Sequence, residues 1–473
     1  MIPRSCFLCQ GILDNFHTLQ YDKEKDVICL LKLFGRRVKL QIPQIVVLGF
    51  AGLILLGALV LMMPICSADG IKTPFIDTLF TSTTSVCVTG LVVRDTGSYW
   101  SDFGHGVILL LIQVGGLGII TIAASFAMLA GRKIGLFQRS AMQESVGAQQ
   151  TGGIVKLTGF LLKTTFAIEL IGAVLLAPTF IRDFGWGRGI WTAIFTSISA
   201  FCNAGIDLFG MRESFSSLTA YVDDPVINLV IMGLIIVAGL GFLTWDDIRS
   251  HGFRLRKYRM QSKVILLTSA LLILIPAVLF FFFEFGHMPM GQRIWASLFQ
   301  SVTTRTAGFN TVDLDAMSEP GKMLMIFLML IGGSPGSTAG GMKTTTFAVL
   351  VACAISVFRK RDSAQFFGRR IGHDVIATAA TLFAMYVTLC VSGAMVISLY
   401  EGLPLLTCMF ETASAVATVG LTLGITPSLG LLSKIILIVL MYMGRVGGLT
   451  LIYAALSPKK QMGKLPLDKI TVG

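Results

Sequence analysis

A chain of 473 residues that is 54% hydrophobic, only 14% charged and has a mean hydropathy of +0.78 falls outside the range of soluble globular domains, so its solvent is lipid. The net charge of +12 does not indicate nucleic acid, because no hydrophilic stretch is long enough to fold into a domain with a basic face. Nine scattered cysteines, with Cys6 and Cys9 in a lone C-x-x-C, give neither a zinc site nor a disulfide framework.

Residues 1–42 mix Arg36, Arg37 and Lys39 with acids and lack an apolar run leading to a cleavage site, so they read as a cytoplasmic arm and not a signal peptide. Eight apolar stretches follow, at about 43–66, 104–130, 154–181, 226–248, 261–284, 322–357, 375–400 and 430–456. A bilayer-crossing helix needs about 20 such residues. With both termini inside, the cytoplasmic segments would be 1–42, 131–163, 246–263, 356–373 and 457–473. They carry seven, five, six, five and four Lys plus Arg, the bias expected of inner loops and tails.

Within this series the chain repeats itself. FTSTTSVCVTGL (80–91), FTSISAFCNAGI (195–206), FQSVTTRTAGF (299–309) and FETASAVATVGL (410–421) each place a glycine nine or ten residues after a leading Phe, at Gly90, Gly205, Gly308 and Gly420. The repeats run 43–130, 154–248, 261–357 and 375–456, each with one long stretch, the motif and a second long stretch. A helical segment too short to cross the bilayer precedes each glycine, so each motif must enter and return. Non-helical backbone at that depth is tolerated only when buried in protein or lining a wet cavity. Glycine there lets carbonyls point at one axis and replace a cation's hydration shell. One such glycine is explained as well by close helix packing; four in register argue for a pore.

Each second stretch also carries a glycine cluster: QVGGLGII (113–120), VAGLGFLTW (237–245), IGGSPGSTAGGMKTTT (331–346) and MGRVGGLTLI (443–452). Packing against a neighbouring short helix is the expected role. In the third, SPGSTAGG (334–341) breaks the span, because Pro335 removes a donor and the small residues do not sustain a helix. The expectation is a flexible gate below the loops, formed by Gly332, Gly333, Ser334, Pro335, Gly336, Ser337, Thr338, Ala339, Gly340, Gly341 and Lys343; a packing kink is the alternative. Gly336, Gly341 and Lys343 approximate a phosphate-binding loop, but Met342 intervenes and no soluble strand precedes them.

Arg445 lies inside an apolar stretch, where a charge costs at least ~2.5 kcal/mol and usually marks function. It is expected to face the pore or the gate, with a salt bridge to Glu169 or Glu411 as the alternative, while Arg305 braces its loop. Five dispersed His and no convergent acids argue against an enzyme. Because each repeat holds two spans, all four share one orientation, which suggests pseudo-fourfold symmetry around a pore and not the inverted repeats of many secondary transporters.

On TRTAGFNT (304–311), AFCNAGID (200–207), GGSPGSTAGGMKT (332–344) and GRVGGLT (444–450), the sequence resembles the Trk, Ktr and HKT superfamily of potassium transporters over essentially the whole membrane region. The resemblance implies an all-α polytopic protein of the bacterial cytoplasmic membrane, built from four covalently joined helix, pore-loop, helix units and assembled as a homodimer with one pore per subunit. Potassium would be the substrate, bound at a filter made by Val88, Thr89, Gly90, Asn203, Ala204, Gly205, Thr306, Ala307, Gly308, Thr418, Val419 and Gly420, with no covalently bound cofactor. Gly90 stands where plant relatives that prefer sodium have Ser. The Ktr-type membrane subunit fits best, because only the arm of 42 residues precedes the first span, whereas Trk-type subunits usually carry two extra helices there. That type implies sodium as an activator and a cytoplasmic ring of nucleotide-binding regulator-of-conductance subunits. A Trk-type transporter or a less selective monovalent cation channel remains the alternative.

Overall fold

The computed structural model describes residues 29–33, 36–119 and 153–448, together with Thr450 and scattered positions between 121 and 143. Most of the arm, most of the 131–152 loop, the far ends of the first and fourth repeats and the 457–473 tail lie outside the described residues, as do Cys6 and Cys9.

Strands β1 (Cys29–Leu33) and β2 (Arg36–Leu40) pair antiparallel ahead of helix α1 (Ile42–Leu61). Pro43 in the first turn and a Gln41/Gln44 capping box start α1 by satisfying its orphan amides. The first repeat continues with the short helix α2 (Phe75–Val86) and with α3 (Asp102–Leu117). The second contains α4 (Ile154–Phe184), α5 (Trp186–Cys202), α6 (Pro225–Gly239) and α7 (Phe242–His251). The third has α8 (Met260–Leu279), α9 (Met290–Thr303), α10 (Glu319–Leu330) and α11 (Thr344–Phe358). A hairpin, β3 (Gln365–Phe366) with β4 (Arg369–Arg370), leads to the fourth: α12 (His373–Glu401), α13 (Leu405–Val416) and α14 (Leu431–Val446). The two hairpins correct the all-α expectation to mostly helical.

Among the described residues four helices are long and apolar enough to cross a bilayer: Pro43–Leu61, Ile154–Phe184, Met260–Glu284 and His373–Glu401. Each opens one of the four sequence repeats. The second stretches depart from the expectation of uninterrupted spans at 104–130, 226–248 and 430–456. Gly118, Gly241 and Gly447 take φ of +84°, +85° and +87°, the left-handed region that no right-handed helix can pass through. At Gly241 the consequence is a bend of 96° between α6 and α7. In the third repeat the interruption covers residues 331–343, wider than the Gly/Ser/Pro run alone.

Polarity is inverted relative to a soluble protein. Leu55, Leu56, Phe166 and Leu170 are exposed, while Thr81, Ser82, Thr83, Thr84 and Ser85 of α2 are buried. That is the arrangement lipid favours, with apolar side chains outward and the short polar helices surrounded by protein. The fourth repeat closes onto the first: Tyr442 Oη donates to Val47 O at 2.6 Å, and Lys434 Nζ lies 3.2 Å from the buried Asp77 carboxylate, which also pairs with Arg94 at 2.9 Å.

Candidate functional site

Each short helix is pinned to the long helix before it by one hydroxyl, two residues after the leading Phe. Ser82 Oγ donates to Ile54 O at 2.7 Å, Ser197 Oγ to Glu169 O at 2.6 Å, Ser301 Oγ to Ile273 O at 2.6 Å and Thr412 Oγ1 to Cys390 O at 3.0 Å. These bonds fix the depth of all four helices. The aligned motifs show the recurring Ser/Thr, a signal the sequence reading passed over.

A second recurring hydroxyl residue, four after the Phe, holds the loop itself. The carbonyls of Thr84, Ser199, Thr303 and Ser414 accept the N–H of Thr89 (2.8 Å), Ala204 (2.8 Å), Ala307 (3.0 Å) and Val419 (2.8 Å). Their side chains divide into two kinds. Thr84 Oγ1 and Ser414 Oγ accept from Gly90 N and Gly420 N at 2.9 Å, whereas Ser199 Oγ donates to Ile206 O at 2.6 Å and Thr303 Oγ1 to Phe309 O at 2.5 Å. The chain leaves each helix through a left-handed residue: Val88, Asn203, Thr306 and Thr418 have φ of +48°, +59°, +66° and +54°. Such conformations cost a non-glycine residue energy and persist only where the surroundings impose them.

These turns bring the four glycines together. A Cβ on Gly90 would stand 2.6 Å from Ala204 O, on Gly205 2.6 Å from Ala307 O and on Gly308 2.6 Å from Val419 O, and on Gly420 it would strike Thr89 O. Each glycine therefore abuts the residue before the next glycine, and the fourth returns to the first. All four are also in the left-handed region, with φ between +62° and +103°. Asn203 Nδ2 links the second and third loops by donating to Arg305 O at 3.3 Å and Thr306 Oγ1 at 3.2 Å. Arg305 itself is buried and reaches Ser269 Oγ on α8 at 3.3 Å. Glu411 accepts from Leu423 N at 3.1 Å, Thr426 Oγ1 at 2.8 Å and Thr422 Oγ1, which braces the exit of the fourth loop.

Residues 331–343 pack against the helix-side ends of these loops. Thr338 Oγ1 donates to Phe201 O at 3.2 Å, and a Cβ on Gly341 would lie 3.0 Å from Ala417 O. Gly332 faces Thr306 and Gly340 faces Thr418 as closely. The bend in the second repeat anchors the segment: Ser334 N donates to Gly239 O at 3.0 Å and Phe242 N to Gly336 O at 2.7 Å. Gly332 N to Met342 O, at 2.8 Å, and Thr344 N to Gly333 O, at 3.0 Å, tie its ends together. Lys343 Nζ turns back to Ala339 O at 2.7 Å.

Arg445 reaches this segment from α14 by donating to Thr338 O, and it also donates to Gly115 O at 2.5 Å and Gly116 O at 3.1 Å. The carbonyl end of α3 is where the helix dipole favours a cation. Among the described residues Arg445 makes no ion pair, so the salt-bridge alternative is not what the structure shows. Glu169 instead accepts Gln113 Nε2 at 3.1 and 3.2 Å, and Glu411 is occupied as above. Glycines of the first and fourth clusters pack on short helices, with Gly115 closing on Val86 and Gly444 on Val416, the last residues of α2 and α13, whereas Gly239 of the second cluster meets no neighbour and Gly241 meets Pro335 O. On the other side of the ring, Asp207 accepts Phe209 N at 3.0 Å. Burial pushes its carboxyl up to about 7, opposed by the Phe209 amide and reinforced by Asp95.

Comparison with known proteins gives a family model described as TrkH, cation transport protein, matching residues 44–463. The chain is 41% identical to the potassium/sodium uptake protein NtpJ of Enterococcus hirae, over 92% of this chain and 98% of that one. It is 36% identical to the Ktr system potassium uptake protein B of Bacillus subtilis, again over 92% and 98%. The crystal structure of the potassium transporter TrkH from Vibrio parahaemolyticus resembles it in fold, with a TM-score of 0.71 at 21% identity, covering 88% of this chain and 84% of that one.

Proposed function

The chain belongs to the TrkH family of cation transport proteins, and from that premise we propose that it takes up potassium through a pore whose narrowest part is the ring of Gly90, Gly205, Gly308 and Gly420. The observation that carries the proposal is the closure of that ring: four loops from four repeats, each glycine against the carbonyl of the next loop. In this reading Val88, Thr89, Asn203, Ala204, Thr306, Ala307, Thr418 and Val419 complete a filter whose carbonyls replace water around potassium. Residues 332–341, Lys343 and Arg445 form the gate beneath it. The four broken second stretches count as spans, giving eight in pseudo-fourfold array, with both termini cytoplasmic in a bacterial membrane. The relationship to Ktr-type proteins supports a homodimer working with a nucleotide-binding cytoplasmic ring, and sodium as an activator.

The test is uptake by the purified chain in liposomes with potassium and sodium varied independently. Potassium influx that exceeds sodium influx at equal concentration is expected. Equal influx of both favours a second reading, a less selective monovalent cation pathway. That reading is supported by the 41% identical relative, a potassium/sodium uptake protein, and by the single ring glycine per loop.

A further inference from the structure

Apart from the ring and its gate, the described residues contain a groove of about 540 Å³ between α8, α10 and α11. Its walls are apolar, with Leu271 and Ile275 of α8, Phe327 of α10, and Phe347 and Val351 of α11. One end is polar, where Arg361, Ser363 and Gln365 line it. Along α8 the lining runs from Leu267 to Leu279, about 18 Å at 1.5 Å per residue. That approximates one leaflet of a hydrocarbon core roughly 30 Å thick.

The polar end is built for an anion. Among the described residues Arg361 makes no ion pair, and Ser363 Oγ is buried with no hydrogen-bond partner. Arg359, Lys360, Arg369 and Arg370 are close in sequence, where Asp362 is the one acid between 359 and 370, and Lys263 Nζ stands 6.0 Å from the Phe367 ring. We propose that this groove binds an anionic phospholipid, with an acyl chain along α8 and the phosphate at Arg361 and Ser363. A zwitterionic headgroup would bring its own cation into the same basic cluster, so charge complementarity selects the anionic lipid. The proposal rests on the membrane reading but not on potassium selectivity.

The groove's position gives the lipid something to regulate. Helices α10 and α11 are the two halves of the span interrupted by residues 331–343, and Phe327 meets Phe347 edge to face at 6.0 Å across the break. An acyl chain lying on both helices holds their separation, and so the ends of the gate segment.

Native mass spectrometry of the full-length purified chain, titrated with phosphatidylglycerol or phosphatidylcholine, tests this. One phosphatidylglycerol retained per chain in preference to phosphatidylcholine is expected. Arg361→Gln should weaken retention about fivefold, at roughly 1 kcal/mol per basic residue, while Arg359→Gln, which removes the same charge from outside the groove lining, should weaken it less. Ala352→Phe, which fills the groove, should abolish retention. Equal retention of the two lipids, or equal losses from both arginine variants, would overturn the proposal. So would an Ala352→Phe variant that dissociates into single chains with its lipid count intact, because a second copy would then be the occupant. Potassium influx in pure phosphatidylcholine liposomes, measured alongside, reads the pore independently.

Discussion

The four loops and the four second stretches are both written as repeats, yet they fold differently. Every loop leaves its helix through a left-handed residue, is caught by the same hydroxyl-bearing position and ends on a ring glycine. The second stretches of the first, second and fourth repeats break at one glycine, whereas that of the third opens into residues 331–343, which pack against the loops of the second, third and fourth repeats. Equivalence is kept where four loops close into one ring. It is lost where a single segment fills a space that four copies could not share.

Breaking the ring should have the largest effect. A side chain at Gly90 must hold φ at +103° beside Ala204 O, so Gly90→Ser should lower potassium over sodium preference at least tenfold, about 1.4 kcal/mol, in dual-ion liposome flux. Unaltered preference would remove Gly90 from the filter. On the unequal side, deleting residues 334–341 removes the segment's contacts with Phe201, Gly239 and Phe242 and should raise influx about tenfold, each ~1.4 kcal/mol of barrier being one decade. Flux per folded molecule that stays level would make the segment packing only.

Arg445→Gln loosens that segment less, because Gln retains a donor for one of the three carbonyls. Influx should rise roughly threefold, a barrier change of about 0.6 kcal/mol, with ion preference kept. A lower melting temperature with no change in flux would make Arg445 a structural clamp. Ser197→Ala tests whether the ring tolerates a weaker mount: about 1 kcal/mol of stability should go, read as a lower melting temperature, with selectivity intact. The smallest effect is at Asp207. A carboxyl held at about 7 in the folded state and near 3.8 in the unfolded chain keeps its proton longer when folded, so stability should fall as pH rises from about 4 to 7 and level off above that. Asp207→Asn should flatten that slope, a difference of roughly 1–2 °C in melting temperature at pH 8. An unchanged slope would place the titration elsewhere.

The loops were legible because a requirement on backbone, not side chain, forces glycine at Gly90, Gly205, Gly308 and Gly420. The breaks at Gly118, Gly241 and Gly447 were not, since a glycine that packs and one that ends a helix look alike in sequence; here Gly115 packs and Gly118 breaks, three residues apart. Arg445 shows a different limit. Its partners are carbonyls of Thr338, Gly115 and Gly116, which every residue owns, so the side-chain pattern could suggest only Glu169 or Glu411.

The junction between the last repeat and the first has a consequence for biosynthesis. Asp77 meets Lys434 across 357 positions and Val47 meets Tyr442 across 395. At a translation rate of about 5–20 residues per second, the early half of each contact waits roughly 20–80 s for its partner to be made. During that interval the Asp77 carboxylate lacks one of its two cations and the face of α1 and α2 that α14 covers stays open. Pairings this distant in sequence are the slow ones to form. Synthesis of α14 is thus the step that closes this junction.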